Sequence, residues 1–177
     1  TSPEEIFDVY IQDDRDHLKV SDYSLLIIAD DKDFAKTIKK ISQKHDHKLL
    51  FAKDGKEGMK LAAQYQPNGI LLNEELPDMK GLIVLDHLKF NLNTRHIPVF
   101  FMSADQNREV LDKGAMDFGR KPISHADIDM AMRRMEKLND SDSKEVLIIE
   151  ADEATSKIIE NILKNKDVKI STAASGK

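Results

Sequence analysis

Five short apolar runs, separated by segments with helical hydrophobic spacing, constrain this chain more than any other feature. Leu25–Ala29 is wholly apolar and lacks the alternation of a half-buried strand, so it predicts a strand covered on both faces. Leu49–Ala52, Ile70–Leu72, Pro98–Met102 and Ala115–Phe118 read as four more strands. Phe34, Ile38 and Ile41 mark a first helix, and Lys56–Gln66 a second with Met59, Ala62 and Ala63 inward. Leu82, Leu85 and Leu88 mark a third after Gly81, and a short helix lies around Arg108–Leu111. The last helix starts at Ser124, with Asp127 completing a capping box; its core face is Ile128, Met132 and Met135. Five strand–helix steps predict a doubly wound, five-stranded parallel sheet with helices on both faces. Such a fold binds its ligand at the carboxyl ends of the strands.

The opening of this pattern occurs twice. SLLIIADDKDFAKTIKKISQKHDHKLLFAKDGK from Ser24 aligns without a gap on EVLIIEADEATSKIIENILKNKDVKISTAASGK from Glu145, placing Ala29 on Glu150 and Gly55 on Gly176. That period is far too long for a solenoid and suits one domain per repeat. The expected organisation is a linker over residues 1–20, a complete unit over 21–139, a linker over 140–144 and the start of a second unit over 145–177. A half-unit of this kind leaves Val146–Ile149 and the Ile158, Ile159, Ile162 and Leu163 face in need of a cover, from another chain or from further sequence. Ser2 and Pro3 suit a helix start, whereas Phe7, Val9 and Ile11 alternate like a strand. Asp13–His17 reads as a solvated linker, with contact to a neighbouring domain as the lesser alternative.

Composition narrows the function classes. Of 177 residues, 40% are hydrophobic and 33% charged, and the formal net charge of -5 with no basic stripe argues against nucleic-acid binding. The absence of cysteine excludes thiol catalysis, disulfides and cysteine-ligated zinc and suits a reducing cytosol. No apolar run reaches the roughly 18 residues of a membrane span. The chain begins Thr-Ser-Pro, which reads as a piece of something longer.

The residues just after the strands are Ala29 and Asp30, then Asn73, Ser103 and Lys121. With LLIIADD, LLNEELPDMKG, IPVFFMSA and AMDFGRKP around them, the first unit resembles the receiver domains of two-component signalling. The resemblance implies a flavodoxin-like receiver fold, followed by a partial second copy. It places the acidic pair that holds Mg²⁺ at Ala29 and Asp30, the phosphoacceptor at Asn73, and the phosphoryl-binding hydroxyl and lysine at Ser103 and Lys121. Phe118 takes the switch-aromatic position, and the Lys121–Pro122 bond is expected to be cis.

The departures carry the functional reading. An amide is a poor nucleophile, and positions 29 and 73 both lack the carboxylates that attract Mg²⁺. The expectation is a pseudo-receiver with no catalytic residue, no metal and no cofactor, whose Asn73 amide keeps a hydrogen bond with Lys121. Asp30 is expected to pair with Lys121, Asp31 to start a helix, and Ser103 to be a cap or a remnant of the phosphate site. Glu74 and Glu75 read as solvated loop acids, His45 and His47 as exposed turn residues without a third ligand nearby in sequence, and His87 as a surface histidine. In the second unit the acidic positions fall on Glu150 and Ala151, with Asp152 as a substitute; only a complete second receiver would take Mg²⁺. Tandem receivers look like part of a hybrid sensor histidine kinase, cytoplasmic in this segment, with a multi-receiver response regulator active through its second receiver as the alternative. The implied partners are histidine kinase or other receiver domains, a second copy or a small ligand. Met130, beside Arg133 and Arg134, marks the expected docking patch.

Overall fold

The computed structural model describes residues 13–105, 108–140, 144–163 and 168–175. The competing helix and strand readings of Ser2–Ile11 lie outside them. The chain divides into two compact units, with the break between Glu136 and Lys137.

In the first unit β1 (Ser24–Ile28), β2 (Lys48–Ala52), β3 (Gly69–Asn73), β4 (Val99–Ser103) and β5 (Asp117–Arg120) form one parallel sheet in the order β2-β1-β3-β4-β5. The connecting helices are α1 (Lys32–Ser42), α2 (Gly55–Tyr65), α3 (Gly81–Phe90) and α4 (Glu109–Asp112), and α5 (His125–Asn139) follows β5. All residues of β1, β3 and β4 are buried. Alternate side chains feed two separate cores. Leu25, Ile27, Leu71 and Phe100 pack with Ile38 of α1 and Met132 of α5. Leu26, Ile28, Leu72 and Phe101 pack with Leu61 of α2 and Leu85 of α3. Both faces of each strand are therefore apolar, which is why the runs show no period of two.

The capping box at the start of α5 forms in full. Ser124 Oγ accepts from the Asp127 backbone N–H at 3.1 Å, and an Asp127 carboxylate oxygen accepts from the Ser124 N–H at 3.2 Å. Two details differ from the sequence reading. The inward face of α2 is Gly55, Gly58, Leu61 and Ala62, and Ala63 is exposed. Ile28 fills the space where a Gly58 side chain would stand, so this face is marked by a missing Cβ that hydropathy does not register. β5 also begins two residues after Ala115; Ala115 and Met116 supply apolar packing ahead of the paired segment.

Asp13–Arg15 is not a solvated linker, because it covers the outer edge of β2. The Asp14 N–H donates to Leu49 O at 2.8 Å, and Asp14 Oδ2 accepts from the Leu49 N–H at 2.8 Å. Asp13 Oδ2 accepts from the Phe51 N–H at 3.0 Å, while the Arg15 guanidinium reaches Phe51 O at 3.1 Å. Two carboxylates and a guanidinium thus satisfy backbone groups that an edge strand would otherwise present to another chain. His45 and His47 are not exposed turn residues either; their side chains are 11% and 2% exposed. Burial pushes the His47 imidazole below its ordinary pKa, with Glu136 opposing that shift.

The second unit holds β6 (Lys144–Ile149), α6 (Glu153–Leu163) and β7 (Val168–Ala173), with β6 and β7 paired in parallel. It repeats the start of the first bond for bond. Ala29 N–H donates to Ala52 O at 3.0 Å, and Glu150 N–H to Ala173 O at 3.0 Å. Asp31 caps α1 through the Asp33 and Phe34 N–H groups, and Asp152 caps α6 through the Thr155 N–H and hydroxyl. Thr155 accordingly holds the exposed Asp152 carboxyl below its ordinary pKa. Leu147, Ile149, Ile158 and Ile162 are exposed, as expected for a unit short of a full sheet.

Replacing both Asp13 and Asp14 by Ala strands the Leu49 and Phe51 N–H groups at the sheet edge. Loss of such charge-assisted bonds is expected to lower unfolding stability by about 1–3 kcal/mol. Urea denaturation reads this directly, and an unchanged midpoint would show that water caps the edge equally well.

Candidate functional site

The parallel strands bring their last residues to one rim of the sheet. Ala29 follows β1 and is buried; Asp30 points to solvent, and among the described residues its carboxylate makes no hydrogen bond or ion pair. Asp31 Oδ1 accepts from the Asp33 N–H at 2.9 Å and the Phe34 N–H at 3.1 Å, so it belongs to the N-terminus of α1, as its position suggests.

Asn73 ends β3 and is only 4% exposed. Its Nδ2 donates to the Glu75 carbonyl oxygen at 2.9 Å, and its Oδ1 is buried without a partner. The expected bond to Lys121 is absent: the Lys121 side chain is exposed and meets neither Asn73 nor Asp30. The Glu74–Lys80 loop is folded tightly beside Asn73. Gly81 N–H donates to Glu74 O at 2.6 Å, and a Cβ at Gly81 would stand inside contact distance of the Asn73 carbonyl oxygen. Asp78, from the same loop, accepts from the Gly55 and Lys56 N–H groups at 2.8 and 3.0 Å and pins the loop to the start of α2.

Ser103 ends β4 and is fully buried. Its hydroxyl donates to Glu74 Oε2 at 2.8 Å and accepts from the Asp105 N–H at 3.1 Å. Ser103 is therefore both a turn cap and a partner of Glu74, and Glu74 is not a free loop acid. Glu75 is exposed and pairs with Lys80. Lys121 follows β5; its N–H donates to Ser103 O at 2.7 Å, and the Lys121–Pro122 bond is cis.

These residues surround two adjoining clefts. One of about 470 Å³ is lined by Asp30, Asp31, Asn73, Glu75, Pro77 and Lys121. Another of about 630 Å³ shares Asp31, Asn73 and Lys121 and has an apolar floor that includes Phe34, Met102 and Ile128. Phe118 packs partly against the core from β5 and lines a separate recess with Met130 and Arg134. Arg134 pairs there with Asp117, and Met130 is 55% exposed. His87 is exposed on α3. Glu150 and Asp152 lie between β6 and α6, where Glu150 Oε1 accepts from the Asp152 N–H at 3.0 Å. One oxygen of the Asp152 carboxylate, Oδ2, is taken up by the Thr155 helix cap.

No helix among the described residues is long and apolar enough to cross a membrane. The response regulator receiver domain family matches residues 25–133. The chain is 30% identical over 106 residues to the polar-differentiation response regulator DivK of Brucella anthropi, covering 57% of this chain and 85% of that protein. It is 32% identical over 105 residues to a histidine kinase of Formosa agariphila, covering 57% of this chain and 8% of the kinase. The first three curated relatives it matches are much longer, and the chain spans 19%, 41% and 8% of their lengths. Among solved structures, a chemotaxis response regulator of Vibrio cholerae superposes with a TM-score of 0.60 at 15% identity, covering 65% of this chain and 99% of that one. With its β2-β1-β3-β4-β5 sheet and this match across 25–133, the chain belongs to the response regulator receiver domain family of two-component signalling.

Proposed function

We propose that the first unit is a pseudo-receiver that takes no phosphoryl group and regulates signalling by docking to kinase or receiver domains. The observation that carries this reading is the buried Asn73 at the end of β3, with its Nδ2 bonded back to its own loop at Glu75 O. Phosphoryl transfer needs a nucleophilic oxygen at that point and a metal to neutralise the phosphoryl charge. An amide supplies neither the nucleophile nor a negative charge.

The surrounding donors match Mg²⁺ poorly. Magnesium favours near-octahedral oxygen donors including carboxylates. Ala29 contributes none, one oxygen of Asp31 is committed to the start of α1, and Asn73 Oδ1 is a neutral carbonyl. Asp30 is left as the one uncommitted carboxylate beside it. The Ser103 hydroxyl, which a receiver would offer to phosphoryl oxygens, is already bound by Glu74. In this reading Ser103 is satisfied by the unit's own Glu74, and the Lys121 side chain stays in solvent.

Docking then falls to a surface. The β5–α5 recess offers Phe118, the exposed Met130 and the Arg134–Asp117 pair, an apolar centre within charges. The tandem repeat and the likeness to a histidine kinase support a place in a hybrid sensor kinase. Activity through the second unit is the lesser reading, because Asp152 is bound to Thr155.

Three forms test the site: the natural sequence, Asn73→Asp, and Ala29→Asp with Asn73→Asp. The natural form is expected to bind no Mg²⁺ in calorimetry at millimolar concentration and to resist labelling by a small phosphodonor. The single change is expected to recover little. A charge pair at about 4 Å contributes about 1–4 kcal/mol between bulk water and a protein surface, and each 1.4 kcal/mol is about tenfold in affinity. Each missing carboxylate therefore costs about a power of ten or more, and the double change should regain both Mg²⁺ binding and labelling. Labelling of the natural form would overturn the reading. For the docking face, Met130→Asp is expected to leave stability within about 0.5 kcal/mol and to weaken binding of histidine kinase domains from the same system, measured by calorimetry; unaltered binding would remove this face.

A further inference from the structure

The second concentration of chemistry lies away from the strand ends. After α1 the chain makes a 3-10 turn over Gln43–His45, and Asp46 adopts a left-handed conformation with φ 56°. That reversal puts His45 and His47 on the same side, with ring centroids 5.2 Å apart and planes inclined by 23°. Tyr23 stacks on the other face of the pair, 4.6 Å from the His47 ring. Across from them α5 presents Asp129 and Glu136, two helical turns apart.

One oxygen organises the cluster. Glu136 Oε1 lies 2.7 Å from His47 Nε2 and 3.3 Å from His45 Nδ1. The other nitrogen of His45, Nε2, lies 2.6 Å from Asp129 Oδ1, and Asp129 is held in turn by Arg133 at 2.9 Å. The 2.6 and 2.7 Å contacts take one N–H from each ring, and the 3.3 Å contact then sets His45 Nδ1 against a carboxylate oxygen with no proton left for it when both imidazoles are neutral. A third proton or a cation between them would turn that approach into an attraction.

The donor types and their spacing favour the cation. Two imidazoles and a carboxylate are ligands for zinc-type divalent ions. With metal–ligand bonds of about 2.0–2.1 Å, tetrahedral geometry puts neighbouring donor atoms about 3.3 Å apart. The His45–Glu136 pair stands at that separation, and the His47–Glu136 pair reaches it by opening a few tenths of an ångström. Ligand histidines also hold their second nitrogen against a carboxylate, which fixes the tautomer and ring orientation; Asp129 occupies that place at His45. The His47 side chain is 2% exposed and held by the Tyr23 stack, whereas Glu136 is 30% exposed and gives an ion a way in.

We propose that His45, His47 and Glu136 form a binding site for Zn²⁺ or a similar borderline divalent cation, with water as fourth ligand and Asp129 orienting His45. The site joins the turn before β2 to α5 and is separate from the strand-end clefts. The ion adds a tie between two elements that are about 90 residues apart in sequence and already linked by the His45–Asp129 bond.

The test titrates ZnCl₂ into the metal-stripped 177-residue chain by calorimetry near neutral pH, with Co²⁺ absorption as a second reading. One ion per chain is expected at micromolar concentration, with the visible bands of tetrahedral Co²⁺. His45→Gln and Glu136→Gln should each weaken binding at least tenfold, while His87→Gln and His96→Gln, both at exposed positions, should leave it unchanged. If either site variant fails to fold by circular dichroism, the Co²⁺ spectrum of the natural chain decides: tetrahedral bands support the site, and an octahedral spectrum overturns it. No saturable binding, or binding equally strong in folded His45→Gln and Glu136→Gln, would show that a proton fills the cluster.

Discussion

Every side chain of β1, β3 and β4 is withdrawn from water, so no charged group can stand within these three strands without an uncompensated loss of hydration. In these strands polar residues stand only at the ends: Ser24 begins β1, and Asn73 and Ser103 are the last residues of β3 and β4. Both are buried there, and each must find partners within the loop that follows. The Glu74–Lys80 loop answers that demand. Glu75 O takes the Asn73 amide, Glu74 takes the Ser103 hydroxyl, and Gly81 lets the loop close against β3 without a side chain in the way.

The same burial explains why an amide suits position 73. A carboxylate there would need a cation or several donors to offset its desolvation, and the residue beside it at 29 offers no charge at all. An amide leaves at most one buried acceptor unpaired, a cost of about 1–3 kcal/mol. Position 73 then gives Lys121 no anion to enter for, and its ammonium keeps its water. The strand ends have the shape of a receiver pocket, with no carboxylate at positions 29 and 73.

The fold was legible because its signals are local. Five apolar runs, a capping box at Ser124 and Asp127, and a gapless repeat all lie along contiguous stretches, and the repeat extends to the matching bonds of Ala29 and Glu150. The misses share one cause: the deciding partner is far away in sequence. His45 and His47 looked like turn residues because Glu136 and Asp129 come from another helix. Asp13 and Asp14 looked like linker acids because their acceptor role is set by the edge of β2. Even at the site, the strand-end positions were readable from motif spacing, yet the Ser103–Glu74 bond and the outward Lys121 depend on side-chain choices that spacing does not encode.

α5 faces three environments at once. Ile128, Ala131, Met132 and Met135 hold it to the sheet. Met130 and Arg134 line the recess beside β5, while Asp129 and Glu136 face the histidines before β2. The apolar stripe fixes which way the helix rolls, but apolar packing is non-directional and sets its height along the sheet only loosely. Directional contacts join the helix at Asp117–Arg134 on one side and at His45 and His47 on the other. In a receiver that takes phosphate, the strand ends would address this helix through the switch hydroxyl and the aromatic at 118. Here Ser103 is bonded to Glu74, and the histidine cluster meets α5 through Asp129 and Glu136 on the helix that carries the proposed docking face.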